Sequence, residues 1–176
     1  MAKLRKMLGA ADSPSIVSLM RLIETQSKAT IAKWCMDYCE EHILPIFEKH
    51  CPGDGRPRMA IDASRSWFEG KKKMPEVKNI ILNECHAAAR GLNGNPAAQA
   101  AARACGQASA CFHAPTHSLG LAFYGAAAIA YDRVGLNRKP EDYGLIAAEE
   151  VAKMEAALRA VAVDNEPNPA KIKWNC

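Results

Sequence analysis

The segment PAAQAAARACGQASACFHAPTHSLGLAFYGAAAIA, residues 96–130, is the most distinctive part of the chain because alanine fills 14 of its 35 positions. Alanine loses no side-chain entropy in a helix, and Gly106, Gly120 and Gly125 leave room for a second backbone. The pattern therefore predicts two helices that meet along faces of small residues. Pro115 lacks a backbone donor, so we expect the junction between the two helices at that position.

Helix signals continue on both sides of this segment. Ser27 begins a long amphipathic pattern with its aromatic face inward, and Pro45 should kink that helix. The tail, residues 164–176, is broken by proline and is predicted to be irregular. No alternating strand pattern occurs, so the sequence predicts an all-α, single-domain bundle of about six to seven helices over residues 1–176, with helical-hairpin repeats as an alternative. Further helix starts are marked by proline at Pro14, Pro57, Pro75, Pro96 and Pro140.

The composition is that of one globular domain, with 176 residues, a net charge of +4 and 49% hydrophobic residues. The seven cysteines are an odd number, and the first residues lack the apolar core of a signal peptide, so we expect free thiols and a cytoplasmic location. The most apolar stretch, residues 119–131, is too short to span a bilayer. Small-residue faces can pack within one chain or between two, so the oligomeric state stays open.

His113 and His117 are four residues apart, a spacing that places two imidazoles on one helical face where they could share a metal ion. The residue after the first histidine is Ala114 and not the glutamate of the zinc-peptidase pattern. His86, or one of Cys105 and Cys111, could complete a ligand set. A metal-dependent helical enzyme that uses His86, His113 and His117 is therefore the alternative to histidines that merely pack, and the sequence predicts no cofactor.

The loop GDGRPR, residues 53–58, places two guanidinium groups beside an acid at a helix start. Such a pair can recognise an anion in bidentate fashion, or Asp54 can cap the helix while one arginine pairs locally. The basic residues nearby would attract phosphate, but the net charge is modest and no recognition motif of a nucleic-acid module is visible. We therefore expect no nucleic-acid partner.

Two motifs resemble a known family. They are WCMDYCEEHILPIFE at residues 34–48 and DGRPRMAI at residues 54–61, and they are followed by Trp67 and by the histidine pair ahead of an alanine-rich helix. Helix composition alone would generate neither LPIFE nor D-x-R-P-R. Over about residues 30–130 the chain resembles the immunity proteins of bacterial polymorphic-toxin systems.

This resemblance implies an all-helical cytoplasmic protein that binds a cognate protein toxin and neutralises it without chemistry of its own. A blocker of a basic toxin is usually acidic, so the positive net charge of this chain favours a toxin with an acidic surface. The predicted contact residues form two groups, which are Glu48, Asp54, Arg56 and Arg58, and then His113 and His117.

Overall fold

The computed structural model describes residues 4–174, and this part of the chain contains helices and no strand. The prediction of an all-α single domain is confirmed. One segment, Ile81–Cys85, is π-helical and not α-helical. The helices are α1 Pro14–Ile23, α2 Lys28–His42, α3 Leu44–His50, α4 Arg56–Phe68, α5 Met74–Ile80, α6 His86–Arg90, α7 Pro96–Ala110, α8 His117–Val134 and α9 Pro140–Val161.

When helices that follow each other almost without interruption are counted together, the described part of the chain has seven helices, as the sequence predicts. Only Ile43 separates α2 from α3, and Pro45 is the second residue of α3. The helix that starts at α5 continues through the π-helical segment into α6 without a break. No sequence signal marks this π-helical segment, because its residues continue an ordinary helical pattern.

The capping residues at the starts of α2 and α7 are those that the sequence indicates, whereas the one at the start of α4 is different. The side chains of Ser27 and Asn95 accept hydrogen bonds from the backbone N–H groups of Thr30 and Ala98, and so cap α2 and α7. Asp54 does not occupy the cap position of α4, because Gly55 does. The carboxylate of Asp54 instead accepts hydrogen bonds from Arg56, the residue that follows Gly55, as described below.

The alanine-rich helix α7 lies at the centre of the bundle, where it packs against α2, α3, α4, α6 and α8. Eleven of its fifteen residues are buried, and all of them are alanine, glycine, serine or cysteine. Close approach also occurs at Gly125 of α8, where an added Cβ would lie 2.5 Å from Cδ1 of Ile43. Small side chains thus let five neighbouring helices reach one central helix, which larger residues would prevent.

Two pairs of thiols lie between α2 and the segment formed by α7 and Cys111, the residue that follows it. The Sγ atoms of Cys35 and Cys111 are 3.3 Å apart, and those of Cys39 and Cys105 are 3.5 Å apart. Burial raises the pKa of Cys35, and the hydrogen bond with Cys39 raises the pKa of Cys105. All four side chains are fully buried as free thiols, so they act as small apolar groups in this interface.

The residues after α9 contain no helix up to residue 174, and they pack against the turn between α1 and α2. Buried Gln26 accepts a hydrogen bond from the backbone N–H of Val163, and Glu166 accepts hydrogen bonds from Ser27 and Thr30. The end of the predicted tail, including Cys176, lies outside the described residues. Within residues 4–174, no helix has both the length and the apolar character to cross a bilayer.

Candidate partner-binding surfaces

The Asp54–Arg56 pair lies in the loop that leads into α4. Asp54 accepts hydrogen bonds from Nε and Nη2 of Arg56, at 2.9 and 2.6 Å, and one from the backbone N–H of the same residue at 3.1 Å. The Arg56 guanidinium lowers the pKa of the Asp54 carboxyl. The two predicted contact residues therefore satisfy each other, which corresponds to the local pairing that the sequence left open.

Arg58 belongs to a row of ion pairs between α2, α3 and α4. Its Nε donates to Glu48 at 2.7 Å, and its Nη1 lies 3.5 Å from Glu40. Arg65, about two helical turns further along α4, donates to Glu40 at 2.6 Å and to Asp37 at 2.9 Å. We call these residues the acid-base row, and because they are partly exposed each pair contributes about 0–1 kcal/mol. The sequence indicated Glu48 and Arg58, but it did not show that they contact each other.

The two predicted histidines meet where α7 turns into α8. His113 lies in the turn, His117 is the first residue of α8, and their ring centroids are 5.5 Å apart. Nδ1 of His117 is 2.7 Å from Oε1 of Gln107. Nδ1 of His113 is buried and has no hydrogen-bond partner among the described residues. His86 packs against α7 at Gly106, where an added Cβ would lie only 2.4 Å from its ring.

All three imidazoles have a lowered pKa. Burial, followed by the charges of Lys78 and His117, lowers the pKa of His113 to about 4. Burial also lowers the pKa of His117, and burial together with Arg103 and Arg90 lowers that of His86. These rings are therefore neutral near pH 7. The side chains that act on them electrostatically are cations and other imidazoles, with no carboxylate among them.

An aromatic row leads from these histidines to the end of α4. Consecutive ring centroids are 4.9 Å apart from Phe68 to Trp67, from Trp67 to Phe112 and from Phe112 to His113, and His117 ends the row. Phe68 is 42% exposed, whereas Phe112 is buried. The row therefore opens to solvent at one end and is anchored in the core in its middle.

Three cations lie around the histidines without acidic partners. Lys78 and Arg90 are exposed, and the Arg103 guanidinium lies 5.8 Å from the ring centroid of Tyr124. Among residues 4–174 none of the three forms an ion pair, and the buried Nε of Arg103 has no hydrogen-bond partner there. We use the term cationic-aromatic surface for the aromatic row and these groups together, namely Trp67, Phe68, Lys78, His86, Arg90, Arg103, Phe112, His113, His117 and Tyr124.

Comparison with protein families gives a match over most of the chain. A family described as "Imm-5 like putative immunity protein" matches residues 21–157. The chain belongs to this Imm-5 like family. The match covers both the acid-base row and the cationic-aromatic surface, and it extends beyond residues 30–130, where the motifs lie. Searches of curated proteins and of solved structures found no match.

The geometry of this Imm-5 like chain does not support the metal-dependent alternative. Within the part of the chain that the structure describes, no three His, Cys, Asp or Glu side chains are arranged to hold a metal ion. His113 and His117 come together, but His86 faces the backbone of α7 at Gly106. His113 and His117 do not share a helical face, because Pro115 lies between them. His113 is in the turn, and His117 is at the start of α8.

Proposed function

We propose that this protein binds a cognate bacterial toxin in the cytoplasm and neutralises it by occupying its surface, with no chemistry of its own. Membership of an immunity-protein family supports a toxin as the partner. The observation that carries the proposal is the contrast between two surfaces of the chain. The acid-base row is satisfied internally, whereas the cations of the cationic-aromatic surface have no acidic partner within residues 4–174.

A surface cation without an ion-pair partner contributes most to binding when the binding partner places a carboxylate beside it. Lys78, Arg90 and Arg103 supply three such positions beside neutral histidines. Arginine and aromatic side chains are also the residue types that dominate binding energy in protein interfaces. The surface therefore fits an acidic patch on the toxin that carries at least one apolar group, which Phe68 and Trp67 can contact.

The proposal includes both groups of predicted contact residues. His113 and His117 lie at the centre of the cationic-aromatic surface, between the aromatic row and the cations. Glu48, Asp54, Arg56 and Arg58 are partly exposed, so they can also contact a toxin, while the Glu48–Arg58 pair joins α3 to α4. A protein partner fits better than a nucleic acid, because three cations would neutralise few phosphates.

Charge reversal on the cationic-aromatic surface tests the proposal. The probe is each toxin-like protein encoded beside the gene for this chain. In the double variant Lys78→Glu/Arg90→Glu, like charges would oppose each other across the interface, and we expect the dissociation constant of the toxin complex to rise about 100-fold. Calorimetry or surface plasmon resonance measures this change.

A matched control separates contact from net charge. Arg21 and Lys171 are also exposed and form no ion pair among the described residues. The control variant Arg21→Glu/Lys171→Glu has the same net charge and should bind the toxin within about threefold of the wild type. Equal affinities for wild type, control and test variants would contradict the proposed surface. The absence of binding to every neighbouring toxin would contradict the function itself.

A further inference from the structure

A cavity lies at the other end of the bundle, between the segment that precedes α1 and the turn from α8 to α9. Its volume is about 790 Å³. Leu4 and Leu8 line one side, and Leu136 and the rings of Tyr131 and Tyr143 line the other. This volume lies within the range of sites that bind small molecules, about 300–1,000 Å³. None of its lining residues belongs to the cationic-aromatic surface.

Hydrogen bonds hold the walls of this cavity in place without a ligand. The hydroxyl of Tyr131 donates to the carbonyl of Arg5 at 2.5 Å, and that of Tyr143 donates to the carbonyl of Gly135 at 2.9 Å. The two rings pack edge to face with centroids 5.1 Å apart. The backbone N–H of Leu8 donates to Phe123 of α8 at 3.2 Å. The cavity is therefore preformed, which lowers the entropic cost of binding.

The charged side chains that line the cavity are positive. Arg5 and Arg138 line it, and no acidic residue is among its lining residues. Neither arginine forms an ion pair within residues 4–174, and Nε of Arg138 makes only a long contact, 3.4 Å, with the carbonyl of Val134. Both tyrosine hydroxyls already donate to backbone carbonyls, so the two guanidinium groups and the side-chain amide of Asn137 are the side-chain donors left for a ligand among the lining residues, and only the guanidinium groups carry a charge.

We propose that this cavity binds a small organic acid, with an apolar aromatic or aliphatic body between the leucine and tyrosine side chains and its carboxylate at Arg138 and Arg5. Charge complementarity selects the anion, because a guanidinium forms stronger, charge-assisted hydrogen bonds with a carboxylate than with a neutral group. The apolar lining of the cavity selects the apolar part of the ligand. This site is a second binding function, independent of the toxin surface.

Titration of the full chain with 4-phenylbutyrate tests the proposal, with 4-phenylbutyramide as the matched neutral compound. We expect saturable changes in the NMR signals of the backbone amides of Leu8, Gly9 and Gly144, which line the cavity. The amide should bind at least about tenfold more weakly than the acid, since it lacks the charge that pairs with arginine. Signal changes confined to other regions, equal affinity for both compounds, or no change at 10-fold excess over a millimolar protein sample would each overturn the proposal.

Two variants make the result independent of folding defects. Gly144 lies in α9, and an added Cβ would meet nothing within 4 Å, so Gly144→Trp should keep the fold and fill the cavity. We expect this variant to lose binding, and Arg138→Gln to weaken it about tenfold. Arg21→Gln, an exposed arginine outside the cavity, is the control and should bind like the wild type. Unchanged binding by Gly144→Trp would overturn the assignment.

Discussion

Replacing Ala104 with leucine should lower the free energy of unfolding by about 3 kcal/mol. Ala104 is fully buried in α7, the helix that packs against five others. Three extra carbon atoms have no space at this position, so neighbouring helices must move apart. Urea denaturation monitored by circular dichroism measures the change, which should appear as a lower midpoint with little change in slope.

The control for this variant is Ala148→Leu. Ala148 is an exposed residue of α9, and leucine is nearly as good a helix former as alanine. Its substitution should therefore change stability by less than about 0.5 kcal/mol. If Ala104→Leu were as stable as this control, α7 would not be the closely packed centre of the bundle.

Replacing Phe47 with alanine should have the largest effect on stability, about 4 kcal/mol. Phe47 belongs to the LPIFE motif, and in α3 its side chain is 0% exposed, so truncation leaves a cavity that the surrounding helices fill only in part. Thermal and urea unfolding both report the loss. This prediction assigns the motif a packing role, with Glu48 as its exposed partner for Arg58.

Phe68→Ala is the matched control, because Phe68 has the same side chain and is 42% exposed. It should cost only about 1–2 kcal/mol, since nearly half of its side chain stays in contact with water in the folded protein. Similar losses for the two variants would contradict the assignment of Phe47 to the core.

The helices were predictable because their signals are local. Caps such as Ser27 and Asn95, prolines in first turns and the alanine-rich segment each act within a few residues. The π-helical segment was less visible, because the apolar pattern runs through it, whereas the interruption expected at Pro45 occurs two residues earlier, at Ile43. For Asp54 the sequence leaves capping and pairing with arginine open, and the structure has the bidentate contact with Arg56 while Gly55 takes the cap position.

The candidate site was predictable only in part, because its residues come together through tertiary packing. His113 and His117 were identified from their spacing, but the aromatic row also needs Phe68 and Phe112, which belong to separate helical regions. Lys78, Arg90 and Arg103 are ordinary cations in the sequence. That they lack acidic partners, while Arg58 has two, becomes visible only in the folded chain.

Titration of the cognate toxin with this protein tests the central claim most directly, because blocking by binding is stoichiometric and catalysis is not. Toxin activity is measured after increasing amounts of the chain are added. We expect toxin activity to fall linearly to zero at one chain per toxin, and to recover fully after the complex is separated under denaturing conditions and the toxin is refolded. A progressive loss of activity at substoichiometric amounts, or a toxin that stays inactive after separation, would contradict the central claim.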